Sequence, residues 1–221
     1  MLNQWMFQIA KSPLMGRVVG NAFRYCGWAI PVKKLVSSRE VIAFRHPQPC
    51  YENHVILSPK RAIRNLRQMA SDDFCGYFAK VWETALDIRA AHPEYHDAFT
   101  LAANGGKRQE VQQVHFHLFT QHDMVRDRAV PERAETFYDD DEDIRVFAHP
   151  APDWDVHWVM KPARSETEPS AYFRAVLRCI DRLDAADSLA EKGYSLVCQY
   201  RCQDGEPTCP VFHLIAGKRR T

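Results

Sequence analysis

Residues 108–121 read RQEVQQVHFHLFTQ and place His115 and His117 two positions apart in an apolar run. In an extended chain residues i and i+2 project from one face. Gln109, Val111, Gln113, His115 and His117 are therefore expected on one side, and Gln112, Val114, Phe116 and Leu118 on the other. The first side is a row of hydrogen-bonding groups that ends in two imidazoles. A neutral imidazole attacks phosphorus near pH 7, because a pKa of about 6.5 leaves a nitrogen lone pair available without an added base. Neighbouring imidazole and amide N–H donors stabilise charge on phosphoryl oxygens. The pattern thus fits transfer of a phosphorus-centred group through histidine, with no metal required. A His-x-His pair with a distant histidine also fits a three-nitrogen metal site, but no Asp or Glu stands at ligand spacing on that face.

Rings placed in this way need elements to hold them. Residues 41–44 suit a strand, Pro47 and Pro49 force an extended turn, and HVILS from His54 is a second strand stopped by Pro59, which together read as a hairpin. Two helical patches follow between Lys60 and His92. Phe74, Tyr77, Phe78, Val81, Trp82 and Leu86 fall at helical spacing after Ser71 and Asp72, the candidate N-caps. AFTLAANGG, from Ala98, is a strand running into a glycine turn. The predicted order is strand, strand, helix, strand, strand.

The rest of the chain reads as an eroded second copy. VFAHPAPDWDVHWVMKP lies 103 residues after AFRHPQPCYENHVILSP, and six of the seventeen positions are identical, among them His149 opposite His46 and His157 opposite His54. EPSAYFRAVLRCIDRL then matches the helix, YSLVC matches FTLAA, and VFHLI matches HFHLF, which puts His213 opposite His117 and Val211 opposite His115. With Val211 in the place of a nucleophile, the second copy is expected to be catalytically silent, and His149, His157 and His213 are read as core residues.

Charge and composition narrow the partners. The 221 residues are 46% hydrophobic and 26% charged with a formal net charge of +1, so no global field draws a nucleic acid polymer or an anionic membrane. The seven cysteines are an odd number in a chain without a signal-peptide pattern, which points to a reducing, cytoplasmic setting. Cys198, Cys202, Cys209 and His213 lack paired C-x-x-C knuckles and read as buried thiols rather than a zinc site. The N-terminal segment is apolar but interrupted by Lys11, Arg17 and Arg24, too short a run to span a bilayer; it is expected to pack as helix on the domain, with an interfacial membrane anchor as the lesser alternative.

The two histidine stretches together carry a resemblance. NGGKRQEVQQVHFHLF resembles the signature of the histidine triad family, Gln-x-Val-x followed by His-φ-His-φ-His-φ-φ, and AFRHPQPCYENHVILSPK is similar to that family's first hairpin. The match runs over about 80 residues, from Val41 to Phe119. It implies transfer or hydrolysis of nucleotidyl groups, with His115 as the nucleophile on the α-phosphorus and His117 and His54 as phosphate-side partners. It implies a substrate-binding set of Gln109, Asn104, Gln113, His46 and Phe44, and neither a metal nor an organic cofactor. Three positions depart from the family pattern. Gln113 replaces the first histidine of the triad and is expected to keep a hydrogen bond to the histidine network; Glu110 stands where many members have serine; His46 stands where an acidic residue often holds the ribose.

The expected fold is α+β, an antiparallel sheet with packed helices built as two tandem units. The units are a helical extension over 1–36, a catalytic domain over 37–125, an acidic linker over 126–143 and a degenerate repeat over 144–221. The expected activity is hydrolysis of a phosphoanhydride or phosphoramidate bond next to a nucleoside monophosphate, through a covalent nucleotidyl-histidine. A nucleotidyltransferase and a non-catalytic nucleotide-binding module are the alternatives. The expected partner is a nucleotide or dinucleoside polyphosphate, met by a monomer with a pseudo-dimeric repeat or by a homodimer.

Overall fold

A computed structural model describes residues 33–120, 124–125, 142–164, 167–201 and 209–220. The expected N-terminal helix and most of the acidic linker lie outside the described residues. Nine strands form a single sheet: β1 (Lys34–Ser37), β2 (Val41–Arg45), β3 (Val55–Pro59), β4 (Ala98–Gly105), β5 (Phe116–Phe119), β6 (Ile144–Ala148), β7 (Trp154–Pro162), β8 (Tyr194–Arg201) and β9 (Phe212–Arg219). Four α-helices accompany them among the described residues: α1 (Leu66–Met69), α2 (Gly76–Ala91), α3 (Pro169–Asp187) and α4 (Leu189–Lys192).

The strand order is β1-β2-β3-β5-β4-β8-β9-β7-β6, and every pairing is antiparallel. Leaving aside β1, the order reads alike from both edges toward the centre. Hairpin β2–β3 with β5 and β4 faces hairpin β6–β7 with β9 and β8. The halves join where β4 runs against β8 in register from Ala98↔Arg201 to Gly105↔Tyr194. The fold is thus α+β with a large antiparallel sheet, as the alternating patterns predict.

Two sequence expectations are corrected. The helical extension assigned to 1–36 does not reach its end, because Lys34–Ser37 is an edge strand that pairs with β2. Helix α2 begins after Cys75 without a side-chain cap; Ser71 uses its carbonyl oxygen to accept from the Phe74 and Cys75 N–H groups in the turn before it. By contrast α1 is capped by Asn65, whose side chain accepts from the Gln68 N–H at 2.8 Å, and α3 by Glu168 from the Ala171 N–H at 2.8 Å.

Period-2 alternation sorts the sheet into two faces. Val41, Ala43, Val55, Leu57, Leu101, Ala103, Phe116 and Leu118 point into the large core under the helices, with Leu196, Cys198, Phe212 and Leu214 from the other half. Phe44, His54, Ile56, Ala102, Asn104, His117 and Phe119 take the opposite parity and line a cavity on the face away from α2 and α3. The two halves share one core. Phe78 of α2 is fully buried, with its ring 5.3 Å from Phe116 of β5, 4.8 Å from Phe173 of α3 and 5.3 Å from Phe212 of β9.

Truncating that ring therefore loosens both halves together. Phe78→Ala is expected to cost about 3–5 kcal/mol and to lower the melting temperature in one cooperative transition. Two separated transitions in calorimetry would show that the core is not shared.

Candidate active site

The cavity has a volume of about 410 Å³ and is open to one side of the sheet. Its lining includes His46, His54, His115 and His117, together with Phe44, Asn104 and Gln113. Of the residues singled out by sequence, only Gln109 is not part of this wall. Its side-chain amide donates instead to the Arg64 and Val111 carbonyls, the second at 2.9 Å.

The strand that carries the histidines is shorter than expected. It begins at Phe116, so the strand predicted back to Gln109 does not form, although Val111, Gln113 and His115 still border the cavity and Val114 packs in the core. Residues 109–115 form an irregular approach, tied down by the Val114 N–H donating to the Ile63 carbonyl at 2.7 Å. Gln113, 1% exposed, is the peg of this segment. Its Nε2 donates to the Arg61 carbonyl at 2.9 Å and the Pro59 carbonyl at 3.3 Å, and its Oε1 accepts from the Ile63 N–H at 3.3 Å. The side chain thus turns into the 59–63 loop and away from the rings, contrary to the expected link with the histidine network. A carboxamide fills this position because it satisfies buried donors and acceptors at once.

What Gln113 does offer the histidines is its backbone. The carbonyl lies 2.8 Å from His115 Nδ1. A carbonyl only accepts, so Nδ1 carries the proton and the lone pair of the neutral ring is on Nε2. A second chain of assignments runs through the other rings. The Cys50 N–H donates to His54 Nδ1 at 3.3 Å, which leaves the His54 proton on Nε2, 2.9 Å from His117 Nδ1. The His117 proton then resides on Nε2, a buried atom without a hydrogen-bond partner among the described residues. Backbone groups thus set both ends: an unprotonated nitrogen on His115 and an orphaned donor on His117, with ring centroids 5.0 Å apart.

Burial keeps these rings neutral. Desolvation is the largest influence on each. It holds His115 below the usual imidazole value against the opposing pull of the Gln113 carbonyl and Glu110; His117 lies well below it, with the neighbouring rings of His115, His54 and His46 adding to the effect. His54, 3% exposed, is lowered to about 3 by burial and then by His46 and His115. His46 stacks on His54 at 4.2 Å with planes 5° apart, where the resemblance places a ribose-holding acid. His46, His54 and His117 bring ring nitrogens within 4.8 Å of one another and could hold a metal ion. The His54–His117 hydrogen bond occupies one of the lone pairs such an ion needs.

Two contributors escaped sequence reasoning. Tyr51 stacks on Phe119 at 4.1 Å and forms an aromatic part of the wall. Arg108 enters the wall from the short 3₁₀ turn Gly106–Arg108 after β4, and is held by the far half of the chain. Its neighbour Gln109 was legible from the motif, but Arg108 had no such signal, since its partners lie about 90 to 110 positions away.

The second half repeats the ring arrangement without a counterpart of His115. His149 stacks on His157 at 4.2 Å, His157 Nε2 lies 3.0 Å from His213 Nδ1, and burial, then His213 and His149, lowers His157 to about 3. The three are a cluster rather than separate core residues. Val211, 38% exposed, occupies the position of His115.

Comparisons with known proteins bear on this geometry. Residues 29–124 match the model of the HIT domain. An uncharacterized HIT-like protein of Methanocaldococcus jannaschii is 26% identical over 96 residues, a stretch that covers 42% of this chain and 72% of the relative. Over both halves the fold is similar to a DUF4931 family protein from Bacillus cereus (TM-score 0.59, 8% identity, 86% of each chain) and to a uridylyltransferase (TM-score 0.54, 14% identity, 84% of this chain and 77% of that one). At these identities the structural likeness concerns the fold alone. The HIT-domain match thus falls on the segment that builds the cavity and its four histidines.

Proposed function

We propose that the protein is a nucleotide hydrolase that cleaves a phosphoanhydride or phosphoramidate bond next to a nucleoside monophosphate. The observation that carries this reading is the His115 Nδ1 contact with the Gln113 carbonyl, which leaves Nε2 as an unprotonated nucleophile facing a cavity. In the first step Nε2 forms a bond to the α-phosphorus, the bond to the leaving group breaks, and that group takes the electron pair. His117 Nε2–H donates to a non-bridging oxygen, and His54 holds His117 in the required tautomer. Water then attacks the nucleotidyl-histidine and releases the monophosphate. Phe44, His46 and Asn104 line the space for the nucleoside and its phosphate; Gln109 and Gln113 shape the loop behind it.

Residues 37–125 form the catalytic unit in this reading and residues 144–221 a second copy that lost its nucleophile at Val211. The two-unit likeness to a uridylyltransferase supports an acceptor other than water as the alternative second step. A small-molecule nucleotide is the partner in either case, and no helix among the described residues is long and apolar enough to cross a membrane.

The covalent step is tested with an α-phosphorus-labelled adenosine 5′-phosphoramidate. Label is expected to stay on the protein in alkali, to be lost in acid, and to map to His115, while His115→Asn loses labelling and at least about a thousandfold in turnover. Stable nucleotide binding with no label and no product would leave a binding module in place of an enzyme.

The pH dependence follows from the direction of the shifts. A base whose pKa is lowered on folding stays neutral to lower pH, so the acid limb of the labelling rate is expected below pH 6.5. Stability moves the other way: below pH 6.5 the unfolded chain takes up protons that His54 and His157 in the folded chain refuse down to about 3. Each such group removes about 1.4 kcal/mol per pH unit in that window. The melting temperature should fall from pH 6.5 to pH 4, and His157→Phe should flatten the fall. An unchanged slope in that variant would show that His157 protonates in the folded state.

A further inference from the structure

A cavity that handles phosphate needs positive charge, and the imidazoles of His54, His115 and His117 are held neutral by burial. Among the described residues of the lining, Arg108 alone carries a permanent positive charge, and Glu110 is the acidic residue beside it. Arg108 is not a loosely tethered side chain. Its Nη2 donates to the Gly217 carbonyl of β9 at 2.7 Å, its Nη1 donates to Ser195 Oγ of β8 at 3.2 Å, and the guanidinium carbon lies 4.9 Å from the centroid of the Trp154 ring of β7. Ser195 in turn donates to Asn104 Oδ1 at 2.7 Å, and Trp154 Nε1 to the Met124 carbonyl at 3.3 Å, two more residues of the lining.

The backbone is shaped for this contact. Gly106 has φ +57°, and a Cβ there would lie 2.3 Å from the Ala190 carbonyl oxygen; Gly193 has φ +72°, and a Cβ there would lie 2.8 Å from Arg108 Cγ and 3.0 Å from its backbone nitrogen. The second half thus approaches the Arg108 turn more closely than any side chain permits. A guanidinium fixed by a carbonyl, a hydroxyl and an indole face has little rotamer freedom left to lose when it meets an anion.

We propose that Arg108, mounted on the second half of the chain, is the leaving-group determinant of the site. It selects substrates whose leaving group begins with a phosphate, and so favours phosphoanhydrides over phosphoramidates. This rests on the nucleotidyl-transfer reading above. When His115 Nε2 bonds to the α-phosphorus of a P–O–P substrate, the bond to the bridging oxygen breaks and the electron pair leaves on that oxygen. The oxygen becomes a terminal phosphate oxygen that needs no proton at neutral pH, and a fixed cation stabilises it. An amine leaving from a P–N bond must instead gain a proton, which a guanidinium does not provide. The silent repeat is retained because it holds the one cation that reads the leaving group.

The test uses the full chain and two substrates with the same adenylyl group, diadenosine triphosphate and adenosine 5′-phosphoramidate. Arg108→Gln is expected to lower the ratio of their kcat/KM values, anhydride over amidate, by at least about tenfold, and Arg108→Lys by less. Gly193→Ala, which keeps the guanidinium but displaces it, should move the ratio the same way. Melting temperatures show whether each variant is folded, and the lysine variant serves where glutamine is not tolerated. A ratio unchanged, or both substrates reduced equally, overturns the proposal. If the wild type labels His115 with neither substrate, the nucleotidyl reading fails, and inorganic tripolyphosphate binding by titration calorimetry decides the Arg108 site separately. A dissociation constant raised at least about tenfold in Arg108→Gln upholds an anion site there, and an equal one removes it.

Discussion

A neutral imidazole attacks only through the nitrogen that bears no proton, and the arrangement around His115 depends on keeping its proton on the other one. The Gln113 carbonyl does this at 2.8 Å. That carbonyl is in place because the Gln113 side chain is buried among the backbone groups of Pro59, Arg61 and Ile63, so the loop after the first hairpin and the approach to β5 are one hydrogen-bonded unit. A buried, fully satisfied polar peg specifies one geometry more sharply than an apolar contact of similar size, since every misplacement leaves a donor or acceptor stranded. The tautomer of His115 is in this way a consequence of tertiary packing two residues upstream.

The same logic extends to the sheet. His54 enters just before β3 and His117 lies within β5, between Ile56 of β3 and Ala102 of β4. Antiparallel pairing and period 2 put the rings on the face away from α2 and α3 while Leu57, Phe116 and Leu118 anchor the opposite face in the common core. Continuing the sheet through β4 and β8 removes what would otherwise be an open edge beside the site. It also brings the second half within reach of the cavity wall, which a lone unit would leave to solvent.

Much of this was legible in the sequence, and the failures share a cause. The first hairpin, the long helix, β4 and the second-half elements follow from local periodicity and proline punctuation, and the structure has them. His115, His117, His54, His46, Phe44 and Asn104 were named together and line one cavity. The reading that failed was a regular strand back to Gln109, because residues 109–115 are held by hydrogen bonds to residues 58–64 that involve side chains and form no backbone ladder. Periodicity reports a repeated neighbour, and this segment has none. Arg108 was missed for the same reason: its meaning resides in Gly217, Ser195 and Trp154, residues that no local pattern connects to it.

The two halves also serve as an internal control on what a perturbed histidine signifies. His54 and His157 are each lowered to about 3, each with a stacked ring at 4.2 Å and a hydrogen-bonded ring nitrogen, at 2.9 Å for His54 and 3.0 Å for His157. One trio adjoins His115, and the other adjoins Val211. The lowered basicity therefore comes from burial and ring crowding, and is present whether or not any chemistry accompanies it. What distinguishes the first trio is the adjoining His115 and the Gln113 carbonyl that orients it. A perturbed pKa indicates where charge is expensive; the position of a lone pair, fixed by a named acceptor, indicates where a bond can form.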